Sequence, residues 1–187
     1  MILRPVLVPI PDMEGLTPPQ RVQLQRDCAR LALRHCAELC AAPLEGWSQS
    51  PDGSPVPLQG HHWSISHKRR WAAAVIADRP VGIDIEHIHP RRDDLFEVVG
   101  KKEEWTLLGE CSWHSFFRLF TAKEATLKAN GVGIGHLSEC GLVEVMDNGR
   151  LLTKYKDSDW RIEHFEHDGH IAAVTCGNAP IAWRIGS

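Results

Sequence analysis

The sequence predicts an α+β chain built as two similar-sized halves, residues 1–88 and 89–187, with the order helix, strands, helix, strands. Three observations carry that prediction. Thr17-Pro18-Pro19-Gln20 supplies an N-cap, prolines for the first helical turn and a glutamine three residues on, and opens a helix that runs to about Cys40. Residues 63–86 alternate in the manner of strands. A second helix spans Trp113 to Asn130, and from Leu142 onward short strands are separated by Asp147-Asn148-Gly149, Asp157-Ser158-Asp159 and His167-Asp168-Gly169, which makes a β meander.

Taken in order, Ile2 to Val8 reads as a first strand. In the first helix the core stripe is Val22, Ala29, Leu33, Cys36 and Cys40. Arg26, Arg30 and Arg34 climb one flank at i,i+4 spacing, a pattern that reads as a solvated basic face, with a phosphate site as the alternative. Ala41 to Gly60 is an irregular connection, rich in proline, glycine and serine, with a turn near Asp52-Gly53. Trp63 to His67, Trp71 to Ala77 and Gly82 to Glu86 form a three-stranded meander, joined by the basic turn Lys68-Arg69-Arg70 and the turn Asp78-Arg79-Pro80. Arg91 to Gly100 and Lys101 to Leu108 read as short helical segments. The run Gly131-Val132-Gly133-Ile134-Gly135 has no strand before it and no helix after it. It is therefore a flexible helix terminus rather than a phosphate loop.

Composition removes several function classes. Twenty-one Lys and Arg against 24 Asp and Glu leave a net charge of −3, so bulk electrostatics does not favour nucleic acid and an acidic partner must be met by a local patch. Six cysteines without a CxxC pair read as reduced core residues. The apolar run Val6 to Ile10 is short and bounded by Pro5, Pro9 and Pro11, unlike a signal peptide or membrane span, and a cytoplasmic protein is expected. The histidine clusters His61-His62, His87 with His89, and His164, His167 and His170 have no recognised zinc spacing. No Gly-x-Ser-x-Gly elbow is present.

The chemistry concentrates in acids. On a helical wheel Trp113, Phe117, Phe120, Glu124 and Leu127 share one stripe, so Glu124 points where the aromatics point and needs a cation, a metal or several donors. Lys128, one turn on, could be that partner. Alternation in Gly82-Ile83-Asp84-Ile85-Glu86 puts Asp84 and Glu86 on one strand face. Three carboxylates crowded together repel one another unless a divalent cation sits among them, and hard oxygen ligands without cysteine point to magnesium or manganese.

Three blocks then combine: Trp63-Ser64-Ile65-Ser66-His67, Gly82-Ile83-Asp84-Ile85-Glu86 and Phe120-Thr121-Ala122-Lys123-Glu124-Ala125-Thr126-Leu127-Lys128. In order and spacing they resemble the 4'-phosphopantetheinyl transferases of the surfactin-synthetase type, and the resemblance runs from the first helix to the end. It implies two pseudo-symmetric α+β halves with coenzyme A and magnesium between them. It also implies transfer of the phosphopantetheine arm to a serine of an acyl or peptidyl carrier protein, with release of adenosine 3',5'-bisphosphate. By the same resemblance Asp84, Glu86 and Glu124 match the metal acids, with Glu86 acting directly or through a water. Lys128 matches a lysine that meets the phosphates, and Lys123 precedes the glutamate as the motif expects. His67, with Ser66 beside it, and Arg30 match groups that contact the 3'-phosphate. Glu104, before Trp105, aligns with an acid near the attacking hydroxyl, and the serine proton could go to Glu124 or to Glu104.

Two departures stand out. The usual Gly-Lys-Pro is here Gly53-Ser54-Pro55, which removes one phosphate-binding lysine that Lys68, Arg69 or Arg70 could replace. The chain is also shorter than typical monomeric members, and a monomer is expected. Arg91, Arg92, Lys101 and Lys102 are candidates by charge for meeting an acidic carrier. Two other functions use part of the same pattern. A magnesium-dependent nuclease or phosphohydrolase could use the Asp-x-Glu strand and the helical Glu and Lys, but has no need of Ser66-His67. A degenerate module that binds carriers or coenzyme A without turnover fits the missing lysine, but has no reason to keep three mutually repelling carboxylates.

Overall fold

The computed structural model describes residues 2–186. Its elements run β1 (Val6–Pro9), α1 (Pro18–Cys40), β2 (Ser48–Gln49), β3 (Pro55–Val56), β4 (His62–Lys68), β5 (Trp71–Ala77), β6 (Ile83–His87), α2 (Leu95–Val99), α3 (Lys102–Leu108), α4 (Trp113–Ala129), a 3-10 turn (Ile134–Glu139), β7 (Cys140–Val145), β8 (Arg150–Tyr155), β9 (Ser158–His167), β10 (His170–Thr175) and β11 (Arg184–Ile185). The expected α+β class, with its long helices and antiparallel sheets, is the one observed.

The strands form two main sheets, ordered β11-β1-β5-β4 and β6-β10-β9-β8-β7, plus the small ribbon β2-β3. Helix α1 covers one face of the first sheet, where Val6, Val8, Trp63, Ala72, Ala74 and Ile76 meet Ala29, Ala32, Leu33 and Cys36. The other face of that sheet, through Leu7, Ala73 and Val75, packs on Ile83, Ile85, Ala172 and Val174 of the second. Helix α4 closes the far side through Phe116, Phe117, Leu119, Ala122 and Ala125. Alternation therefore sends successive residues of β5 and of β10 into different cores, while β6 turns Ile83 and Ile85 into one core and Asp84 and Glu86 away from it.

Both long helices start as the sequence expects. Gln20 Oε1 accepts the Thr17 N–H at 2.9 Å, and Ser112 and Ser115 exchange amide-to-hydroxyl bonds at 2.9 and 3.1 Å. Helix α4 ends where Gly131 takes φ +66° and the amides of Gly131 and Val132 return to the carbonyls of Lys128 and Leu127. The rest of that glycine run enters the 3-10 turn.

Four expectations are corrected. The first strand begins at Val6 rather than Ile2, because Pro5 offers no amide to a ladder; Leu3 makes only an isolated bridge to Ile181. The stripe of α1 holds from Ala29 to Cys36, but Val22 is 43% exposed because the first turns overhang the sheet. The turn expected at Asp157-Ser158-Asp159 lies at Lys156–Asp157, and Ser158 already belongs to β9. The three-stranded meander is only a two-stranded hairpin of β4 and β5. Both edges of β5 are taken, by β1 and β4, so β6 crosses to the second sheet and pairs with β10 from Ile83↔Val174 to His87↔His170. Gly82 permits that crossing: a Cβ there would lie 1.9 Å from the Ala125 carbonyl oxygen of α4.

Candidate active site

The two sheets meet along a seam between β4 and β6 that side chains, not a backbone ladder, hold together. Ser64 Oγ accepts the Ile83 N–H at 3.2 Å, Ser66 Oγ donates to Asp84 Oδ1 at 2.8 Å, and Lys68 Nζ donates to Glu86 Oε1 at 3.0 Å. The period of two on β4 puts Ser64, Ser66 and Lys68 on the face toward β6, and His67 on the face toward α1. From the opposite side Lys128 of α4 donates to Asp84 Oδ1 at 2.7 Å and to the Ile83 carbonyl at 3.1 Å. Lys128 therefore serves Asp84, not Glu124 as the i,i+4 spacing suggested; at the helix C-terminus it reaches over to the neighbouring strand.

Glu124 is left without that partner. Its Oε1, together with Asp84 Oδ2 and Glu86 Oε2, is buried and accepts no hydrogen bond. Lys68 Nζ stands 3.0 Å from Glu86 Oε2 as well, and Arg91 at 3.7 Å, so charge but no hydrogen bond reaches that oxygen. Burial, then the charges of Asp84 and Glu86, push the Glu124 carboxyl up to about 7 despite Lys128. Burial and Asp84 raise Glu86 too, against the pull of Lys68 and Arg91. Three orphaned oxygens on three mutually repelling acids form a hard donor set that suits a divalent cation. Among the described residues, however, no three His, Cys, Asp or Glu side chains stand at ligating spacing as the chain is arranged here. Asp84 and Glu86 instead each lean on a lysine.

A cleft of about 720 Å³ opens over the seam, lined by Arg26, Arg30, Gln49, Gly53, Ile65, Ser66, His67, Asp84, Glu86 and Lys128. Six residues singled out from the sequence thus share one space: Arg30, Ser66, His67, Asp84, Glu86 and Lys128. Its α1 side is cationic and its β6 side acidic. Arg30 Nη1 donates to the Trp47 carbonyl at 3.0 Å, which fixes the guanidinium on the wall. Burial, then the charges of Lys128, Arg26 and Lys68, hold the His67 imidazole below its usual range. Arg26, one turn before Arg30 on the same flank, also lines the cleft, although the resemblance singled out Arg30 alone. Lys68, Glu86 and Arg91 also border a second, largely apolar cavity of about 550 Å³, whose walls include Val98, Phe117, Phe120 and Ile134.

Glu104 and Lys123 lie outside the cleft. Lys123 Nζ donates to Glu104 and to the Val99 carbonyl at 2.8 Å, while Glu104 accepts the amides of Lys101 and Leu142, each at 2.7 Å. The two side chains are 2% and 6% exposed. This network ties α3 and β7 to the back of α4. Lys123 precedes Glu124 in sequence, and the helical turn of about 100° between neighbours sends the two side chains to different surroundings.

A sequence model of the 4'-phosphopantetheinyl transferase superfamily matches residues 80–175, half of the chain. Over 161 residues the chain is 28% identical to the 4'-phosphopantetheinyl transferase psf-1 of Bacillus pumilus, covering 80% of this chain and 69% of that one. Against the 4'-phosphopantetheinyl transferase gsp of Aneurinibacillus migulanus it is 36% identical over 86 residues, 44% of this chain and 36% of the other. Against 4'-phosphopantetheinyl transferase Sfp of Bacillus subtilis strain 168 it is 26% identical over 129 residues, 66% and 58%. The chain thus spans two thirds of the first relative and less of the other two. With the matched segment running from the acidic strand through α4 to β10, the chain belongs to the 4'-phosphopantetheinyl transferase superfamily, surfactin-synthetase type.

Proposed function

We propose that this protein transfers the 4'-phosphopantetheine arm of coenzyme A to a serine of an apo acyl or peptidyl carrier protein and releases adenosine 3',5'-bisphosphate. The carrying observation is the single cleft that joins a cationic wall, with Arg30 and His67, to an acidic wall, with Asp84, Glu86 and Lys128. A ligand with a phosphate at one end and a pyrophosphate near the other suits such a space when a divalent cation and Lys128 cover the acidic wall.

In this reading Arg30 and His67 receive the nucleotide's 3'-phosphate, while Ser66, turned toward β6 rather than toward His67's side as the resemblance implied, holds Asp84. Asp84, Glu86 and Glu124 would hold Mg²⁺, or Mn²⁺, whose contribution is to neutralise charge on the pyrophosphate. Lys128 offsets charge on the departing bisphosphate. The carrier serine Oγ forms a bond to the phosphorus of the phosphopantetheine phosphate, the bridging P–O bond breaks, and the serine proton passes directly or through water to a carboxylate. Glu124 is favoured for that proton, since it keeps an unpartnered oxygen while both oxygens of Glu104 are engaged. The apolar cavity beside Glu86 offers room for the pantetheine arm, and Arg91 at its edge, with Arg92, Lys101 and Lys102, is available to an acidic carrier. Six free cysteines fit a reducing cytoplasm, and no described helix is long and apolar enough to cross a membrane. Both walls of the cleft come from one chain, which supports a functional monomer.

Intact-mass analysis of apo carrier proteins after incubation with this protein, coenzyme A and Mg²⁺ tests the reading. A gain of one phosphopantetheine arm is expected, and it should vanish with Glu124→Gln or with chelator. Binding of coenzyme A with no gain on fatty-acid, polyketide or peptide carriers would instead favour a module without turnover.

A further inference from the structure

Glu86 stands between two spaces. It lines both the cleft and the apolar cavity beside it, whereas Asp84 and Lys128 line the cleft, and Lys68 and Arg91 line the cavity without lining the cleft. Lys68 and Arg91 therefore draw Glu86 from the cavity side, away from the space it shares with Asp84. Lys68 Nζ is 3.0 Å from each of the two Glu86 oxygens, so the ammonium sits astride the carboxylate, and Arg91 adds its charge at 3.7 Å. A metal ion chelated by both oxygens of a carboxylate also stands equidistant from them. The fold fixes Lys68 in that place. It ends β4, pairs with Trp71 across a two-residue turn in which Arg69 takes φ +49°, and shares by alternation the face of Ser64 and Ser66. The Glu86 side chain is only 12% exposed, so little water screens it from the lysine.

We infer that Lys68 is a built-in counter-ion that competes with the divalent cation for Glu86 and thereby sets how tightly this protein holds its metal. The inference rests on the reading of Asp84, Glu86 and Glu124 as metal acids and adds a residue that tunes them. It accounts for two features at once. The hard donor set carries three oxygens without hydrogen bonds, yet among the described residues no three acids stand at ligating spacing. An acid held from behind by an ammonium has that character: it is available to a metal only after the lysine yields it. Lys128 also meets an acid, Asp84 at 2.7 Å, but it borders the cleft and stays beside whatever binds there. Lys68 does not line that space, so its charge opposes the cation without the nearness to a bound phosphate that would offset the opposition. The same engagement removes Lys68 as a stand-in for the lysine missing from Gly53-Ser54-Pro55. Arg69 and Arg70 line a separate depression beside Pro9 and Arg21, and none of the three lines the cleft.

The test is a titration of Mn²⁺ into the intact chain without nucleotide, with free Mn²⁺ counted by electron paramagnetic resonance. Lys68→Met keeps the length of the side chain and removes the charge, and should bind Mn²⁺ about tenfold more tightly than the wild type. Lys68→Gln should shift the affinity in the same direction, so the result does not hang on the folding of one variant. Lys68→Arg keeps the charge and should stay within about threefold of the wild type. Glu124→Gln should weaken Mn²⁺ binding with or without Lys68. Unchanged or weaker binding by both neutral variants, with Glu124→Gln still weakening it, overturns the role of Lys68 while leaving the metal acids in place. Binding that is indifferent to Glu124→Gln, or absent from all these proteins, overturns the metal reading and the inference together.

Discussion

Lys128 and Asp84 are joined across 2.7 Å between the last turn of α4 and the strand β6, and the same ammonium also holds the Ile83 carbonyl. The pair fastens the helix that carries Glu124 to the strand that carries the other two acids. In the proposed reaction the lysine has a second task, because a charge must be offset where the bisphosphate departs. Lys128→Met keeps the length of the side chain and removes the charge. It should lower kcat for carrier loading by about a hundredfold, with a smaller change in the KM for coenzyme A, as single-turnover and steady-state loading assays would show.

Glu124→Gln separates chemistry from stability. The carboxyl is pushed up to about 7 by burial and by Asp84 and Glu86, so its ionised form is unwelcome in the fold without a cation. The amide has nearly the same shape and no charge. Loading should fall by a hundredfold or more, about 3 kcal/mol of transition-state stabilisation. The melting temperature in the absence of metal should stay level or rise, because repulsion among three acids is relieved. A large fall in melting temperature would mean that Glu124 is chiefly a structural residue.

The two outcomes above were partly legible in the sequence and partly not. Local pattern was enough for α1 and α4, since the cap at Thr17 specifies the one and apolar spacing the other without long-range information. It was also enough for the alternation that gathers Asp84 and Glu86. Partner choice was the weak point. The destination of β6 depends on β5 having both edges occupied, and the partner of Lys128 depends on a strand 44 residues away in sequence. Neither is a local property. Glu104 shows the same limit: its residue type and position matched a reactive acid, while its partners Lys123 and Leu142 come from other elements.

The Glu104 and Lys123 pair should accordingly govern folding rather than chemistry. Glu104→Gln leaves a buried ammonium without a counter-ion, for which the cost is about 3–5 kcal/mol. Replacing both members together, as Glu104→Leu with Lys123→Met, should recover much of the loss. Urea unfolding of the singles and the double gives the cycle. The loading rate per folded molecule of Glu104→Gln should remain within a few-fold of the wild type; a hundredfold loss without unfolding would return the proton-accepting role to Glu104.

His164 provides a pH test remote from the cleft. It lies on β9 below the start of α4, with Nε2 3.0 Å from the Arg118 carbonyl and Nδ1 3.3 Å from the Gly149 carbonyl. Burial, reinforced by the Arg118 guanidinium, lowers the imidazole to about 4 even though both carbonyls favour the protonated ring. In the unfolded chain the same ring titrates near 6.5. Between those values the unfolded state binds a proton that the folded state refuses, so stability is complete above about 6.5 and is lost as pH falls toward 4. The full effect of one such group is roughly 3 kcal/mol. Urea unfolding free energies measured from pH 7.5 to 4.5 should therefore fall less steeply for His164→Gln than for the wild type. Parallel curves for the two proteins would mean that the half-buried ring takes up its proton without leaving the fold.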